Sequence, residues 1–161
     1  MPGDAMFQRD YIERLIEECA RVLSRALELR RGRQLEPALN QVRQAEEELI
    51  GPLRRVLERL EPSSAVEVAG AAQLDRVRMY AALLGEEGLI YHAMQNSASA
   101  FLCCRRSLEL YAALSLARVQ LDQAELEQIH VLMGSLDLSE LDERYAQELR
   151  RLTTGGRGGS R

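Results

Sequence analysis

Residues 81–114 read AALLGEEGLIYHAMQNSASAFLCCRRSLELYAAL. Leu84, Gly88 and Tyr91 recur at helical spacing and extend an upstream stripe of Leu74, Val77 and Ala81. That period predicts one long helix over about 72–94. The Asn96-Ser97-Ala98-Ser99 stretch has the side chains that cap a helix N-terminus. Beyond it Phe101, Cys104, Leu108, Tyr111 and Ser115 share one face of a second helix, predicted to run to about Leu121. A turn this short folds the two back on each other as an antiparallel hairpin.

The same pattern extends in both directions. Ile12, Leu15, Ile16, Cys19, Leu23, Ala26 and Leu27 predict a first helix from about Gln8 to Arg30, ended by Gly32 with Arg30 and Arg31 in its last turn. A second helix is expected near Pro37, with Ala38, Leu39, Val42, Ala45 and Leu49 inside and Gly51-Pro52 at its close. These two form a hairpin over about 8–50. A short helix follows at 52–60, and the spacing of Ser64 and Glu67 suggests a capping box for another. Asp122 and Glu125 open a further helix carrying Leu126, Ile129, Leu132 and Met133. Ser139 is expected to cap a last one, to about Leu152, with Leu141, Tyr145 and Leu149 buried. Strand-like alternation of useful length does not occur, so the predicted class is all-α. One domain is expected over 8–152, flanked by a disordered N-terminus at 1–7 and a disordered Gly/Arg tail at 153–161.

Residues 81–114 resemble a tetratricopeptide repeat, a helix–turn–helix unit of about 34 residues with small residues where its helices cross. Leu84, Gly88 and Tyr91 fall at the large, Gly and Tyr positions of its first helix, and Ala100 at the small position opening its second. The later aromatic and closing Pro positions are unmatched. Residues 23–49 resemble the repeat more weakly, through Ala38, Val42 and Ala45. The opening DYIERLIE, residues 10–17, resembles the start of an uncharacterised bacterial family of tetratricopeptide-like helical proteins. That likeness implies the fold and no activity.

Composition excludes several functions. The net charge is -4, which does not favour nucleic acid or an anionic membrane by bulk attraction. All 21 basic residues are Arg. The basic clusters at Arg25, Arg30, Arg31 and Arg33 and in the C-terminal tail suit helix ends and solubility. Apolar runs fall far short of the ~20 residues that span a bilayer. The N-terminal residues do not resemble a signal peptide, and either Met1 or Met6 suits a start. A cytoplasmic location is expected. Three cysteines, Cys19, Cys103 and Cys104, do not suggest a disulfide framework. His92, Cys103, Cys104 and His130 are poorly spaced for zinc, because adjacent cysteines on a helix point about 100° apart. No metal, cofactor or catalytic residue is predicted. Glu17-Glu18, Glu46-Glu47-Glu48 and Glu86-Glu87 are expected on solvated faces.

The expected function is a protein–protein interaction or scaffold module, with a small-ligand site or enzyme pocket between helices as the alternative. Hairpins of this type leave apolar surface unless something covers it. The first helix is expected to present Tyr11, Leu15, Val22 and Leu29 to a protein partner of unknown identity, or to a second copy as a homodimer. Gly88, Tyr91, Ala100, Ala38 and Ala45 are expected at helix crossings.

Overall fold

The computed structural model describes residues 2–158, and the side chains of 6–155. The described residues are all-α, with eight α-helices: α1 (Pro2–Arg31), α2 (Leu35–Ala45), α3 (Leu53–Arg59), α4 (Pro62–Ala69), α5 (Leu74–Ala93), α6 (Ser97–Leu116), α7 (Gln123–Met133) and α8 (Glu143–Gly158). Helix α2 passes directly into a π-helical turn at Glu46–Ile50.

Helix α5 is the centre. Hydrophobic surface helices have one apolar stripe, but a helix covered on all sides has no polar face to keep. From Met79 to Gly88 only Ala82 is more than slightly exposed. Helices α1, α2, α4, α6 and α7 all pack on α5. The tightest of these contacts is with α6. A β-carbon added at Gly88 would lie 2.5 Å from the Cys104 sulfur and 3.0 Å from the Cys104 backbone nitrogen. Gly85 is equally hemmed in, by the Gln128 amide at 2.7 Å and the Ser107 hydroxyl at 3.0 Å. Ser107 donates to the Ala81 carbonyl at 2.6 Å across the same interface. Ala38, Ala45 and Ala100 are buried, and Tyr91 is half-buried against the core.

Chain direction follows from side-chain pairings. Glu46 lies beside Glu87 and Arg43 beside Tyr91, so α2 runs antiparallel to α5. Three residues join α1 to α2, which reverses the chain and sets α1 parallel to α5. Arg78 reaches Glu125, and the Gln128 amide donates to the Ala82 carbonyl at 2.9 Å, so α7 is also parallel to α5. Three hairpins, α1–α2, α5–α6 and α7–α8, therefore place their first helices side by side.

The short helices brace this stack. Arg106 on α6 donates to the Leu57 carbonyl at 2.8 Å and also to the Leu60 carbonyl, capping the end of α3. Tyr145 on α8 accepts from the Ser63 backbone N–H at 3.0 Å, while Arg144 donates to Glu61 at 2.9 Å.

Several boundaries differ from expectation. Helix α1 begins at Pro2, not about Gln8, and α8 continues to Gly158. Both extensions cover segments assigned to disordered termini. A proline in the first turn costs no hydrogen bond there, and Ala5, Met6 and Gln8 do not oppose helix. Met1 and 159–161 lie outside the described residues. Helix α4 is capped by Glu61, which accepts from Ser64 N–H at 3.1 Å, rather than by Ser64. Asp137, not Ser139, caps the turn before α8, and Asp122 and Glu125 form a capping box at the start of α7.

Helix α6 ends at Leu116, short of Leu121. The reason is a left-handed residue that is not glycine. Arg118 has φ 67°, and its amide returns to the Ser115 carbonyl while Val119 N–H reaches Leu114. Arg33 at φ 62° and Gln95 at φ 64° end α1 and α5 with the same pair of bonds. Such closures usually use glycine, and an L-side chain there costs about 1–2 kcal/mol. Arg118→Gly is therefore expected to raise stability by ~0.5–1 kcal/mol, read as a higher denaturation midpoint. Gly88→Ala is expected to act oppositely. It gains up to ~1 kcal/mol of helix propensity but overpacks a backbone contact, for a net loss of ~1–3 kcal/mol. A midpoint that rises for Gly88→Ala would place the crossing elsewhere.

Candidate functional site

The parallel first helices α1, α5 and α7 line a groove of about 690 Å³. Its floor is apolar because each helix turns a side stripe toward it. Ile16, Ala20, Leu23 and Leu27 come from α1, Met79, Ala82 and Leu89 from α5, and Val131 from α7. Ile16 and Val131 are 41% and 52% exposed, which leaves apolar surface open rather than sealed into the core. From Ile16 to Arg31, at 1.5 Å per residue, the α1 wall runs for about 22 Å.

Ion pairs frame the floor. Near the C-terminal end of α1, Arg30 donates to both oxygens of Glu86, at 2.7 and 3.4 Å. Burial pushes the Glu86 carboxyl up, and the Arg30 guanidinium opposes that shift. At the other end Arg78 grips Glu125 with two hydrogen bonds and has Asp122 at 3.8 Å. Both pairs bridge neighbouring helices, α1 to α5 and α5 to α7, so they hold the groove's walls in register. The buried Cys19 thiol also touches the groove wall. Burial pushes it up to about 12, so it stays a protonated thiol at neutral pH.

The four residues expected to form the contact face divide. Tyr11 is exposed, at 53%. Leu15, Val22 and Leu29 are half-buried and pack against the core. They do not line the groove. The stripe that lines the groove is rotated round the helix and passes through the exposed Ile16 and the half-buried Leu23 and Leu27, of which Leu23 also packs on the core. Both stripes have helical period, and only the packing of α1 on its neighbours decides which of them lines the groove.

The acidic runs also divide. Glu17, Glu18, Glu47 and Glu48 are exposed, but Glu46, Glu86 and Glu87 are buried, which corrects the expectation of solvated faces for those three. The sequence carries the signal. Glu46 lies four residues after Val42 and three before Leu49, on the apolar stripe of its helix. Glu87 sits three after Leu84 and three before Ile90. The Glu46 and Glu87 carboxyls meet within hydrogen-bond reach. One oxygen of each, Oε2 of Glu46 and Oε1 of Glu87, has no other partner among the described residues. Two carboxyls in this position share a proton. Burial first, then the Glu87 carboxylate, pushes Glu46 up to about 10, against the pull of Arg54 and Arg43. The Tyr91 hydroxyl and the Cys103 thiol also face Glu87, and burial raises both. The π-turn at Glu46–Ile50 turns Glu46 into this cluster.

His92 and His130 are exposed, Cys104 lies under Gly88, and Cys103 is half-buried. Among the described residues no group of three or more His, Cys, Asp or Glu side chains is placed to hold a metal ion. Among the described residues no helix is long and apolar enough to cross a membrane.

The carboxyl pair gives a pH dependence with a definite sign. Unfolded, Glu46 titrates near its ordinary 4.5; folded, it titrates near 10. Folding therefore takes up a proton between those values, and stability falls as pH rises through that window, by at most about 1.4 kcal/mol per pH unit. Denaturation midpoints should drop from pH 6 to pH 9 in the natural chain. Glu46→Gln stays neutral and keeps the hydrogen bond to Glu87, so its slope should flatten. Equal slopes in the two proteins would rule out the shared proton.

No protein-family model matches this sequence, and neither the curated proteins nor the solved structures compared with it give a match.

Proposed function

We propose that this chain is a protein–protein interaction module built on tetratricopeptide-like hairpins, and that the α1–α5–α7 groove is where a partner binds. One observation carries the reading. Three parallel first helices leave an apolar floor open to solvent, with Ile16 and Val131 exposed on it. Exposed apolar patches on a small protein mark contact sites, and helical-repeat grooves accept peptides or helices. The α7–α8 pair extends the groove as a third hairpin. The reading includes no catalytic step. Arg30 with Glu86 and Arg78 with Glu125 are engaged in ion pairs that join helices, and the Cys19 thiol of the groove stays protonated.

A second reading has one observation behind it: a volume of about 690 Å³ also suits a small molecule. Thermal-shift measurements against metabolite collections separate the two. A ligand that raises the melting temperature of the natural chain but not of Leu23→Arg would favour a small-molecule site.

The interaction reading is tested by charge insertion at the exposed groove positions. Partners captured by the tagged natural chain in its native host should be lost with Ile16→Arg or Val131→Arg. They should be retained with Leu102→Arg, which is 63% exposed on α6 outside the groove. Unchanged melting curves establish that each variant is folded. Equal capture by all three variants would move the contact off the groove.

A further inference from the structure

The charges on the groove rim are unevenly placed. Where α5 and α7 begin, the single cation Arg78 serves both Glu125 and Asp122. Asp75 lines the same end and has no ion-pair partner among the described residues. Glu127, next along α7, accepts from the neutral Gln123 amide and has no ion-pair partner among the described residues. At the far end Arg30 is matched by Glu86, and Arg31 beside it has no ion-pair partner among the described residues. The paired charges cancel. What remains is acid over the half of the groove where α5 and α7 start, from Asp75 and Asp122 at the end and Glu127 toward the middle, and a cation at the other end, Arg31.

Resting on the interaction reading above, we propose that the occupant is an amphipathic helix of a partner protein, acidic in its first turn and basic in its last, lying antiparallel to α1, α5 and α7. Length, shape and charge agree on this. The α1 wall of about 22 Å fits roughly four turns of helix. An apolar floor between parallel helices receives an apolar stripe with i, i+4, i+7 anchors. Helices ordinarily carry acid first and base last, because those charges suit the backbone dipole. Laid antiparallel to α1, that ordinary pattern sets its basic turn beside Asp75 and Asp122 and its acidic turn beside Arg31. The reverse orientation would bring like charges together at both ends. Rim charges of this kind steer encounter and select among partners more than they add affinity, so the discrimination is salt-sensitive.

The test uses two fluorescein-labelled 18-residue peptides of identical composition and identical apolar stripe. One has Glu in its first turn and Arg in its last; the other has the two exchanged. Stapling holds both as helices. Fluorescence anisotropy at low salt should show the acid-first peptide binding roughly tenfold tighter than its reverse. The preference should shrink toward one at high salt, and also in Asp75→Asn/Asp122→Asn/Glu127→Gln. Asn still caps α7, so this variant is expected to fold, and its melting curve verifies that. Equal binding of both peptides, lost in Ile16→Arg, would overturn the proposed partner chemistry and leave the groove as the contact. Failure of both peptides to bind the folded chain would overturn the helical occupant. A dimer seen by light scattering and dissociated by Ile16→Arg would put a second copy in the groove and overturn the proposal as well.

Discussion

The approach of α5 to α6 at Gly85 and Gly88 is the constraint on which the other contacts depend. With no side chain at Gly88, the Cys104 backbone of α6 comes close enough that a β-carbon would touch it. That closeness lets Ser107 reach the Ala81 carbonyl, and lets Gln128 of α7 bridge Tyr111 on α6 and the Ala82 carbonyl on α5. Helix α7 is seated parallel to α5 by that bridge and by the Arg78–Glu125 pair. Helix α1 is seated on the other flank by Arg30 and Glu86. A bulkier residue at position 88 would push α6 outward and take these bridges with it.

The groove follows from this arrangement. Parallel helices packed side by side through small residues leave a shallow trough where their side stripes diverge. The residues in that trough are apolar, and the ion pairs sit at its ends, where they lock neighbouring helices rather than fill the space. Long charged side chains do this well, since they pack their stems on apolar surface and keep their charged ends at the rim. The result is a surface whose walls are fixed before anything binds, which lowers the ordering cost of association.

On the opposite side of α5 lies a different solution to a packing problem. Glu46 and Glu87 occupy stripe positions where an apolar residue would serve stability better. An unpaired buried carboxylate is costly, and a shared proton reduces that cost without removing it. Runs such as EEE and EE look solvated because most of their members are. Only the register of each residue against its neighbours, Glu46 with Val42 and Leu49, Glu87 with Leu84 and Ile90, picks out the buried ones. The π-turn was not legible at all, because one extra residue in a helical turn leaves no mark in composition.

Local chemistry in the sequence determined the helices, the hairpin turns and the class. Hydrophobic period, the Asn96 and Asp122 caps and the prolines are short-range features, and each acts within a few residues of itself. Gly88 was legible too, as a small residue on an apolar stripe. The end of α6 was not, since Arg118 takes a left-handed conformation that its residue type does not advertise. Which stripe of α1 stays open was decided only in three dimensions. Leu15, Val22 and Leu29 on one side, and Ile16, Leu23 and Leu27 on the other, are equally apolar and equally periodic. A helix with two apolar sides has no internal preference between partners. The three-residue connection to α2 and the reach of Arg30 to Glu86 turn one side away from the groove and let the other line it, and those are relations between distant parts of the chain.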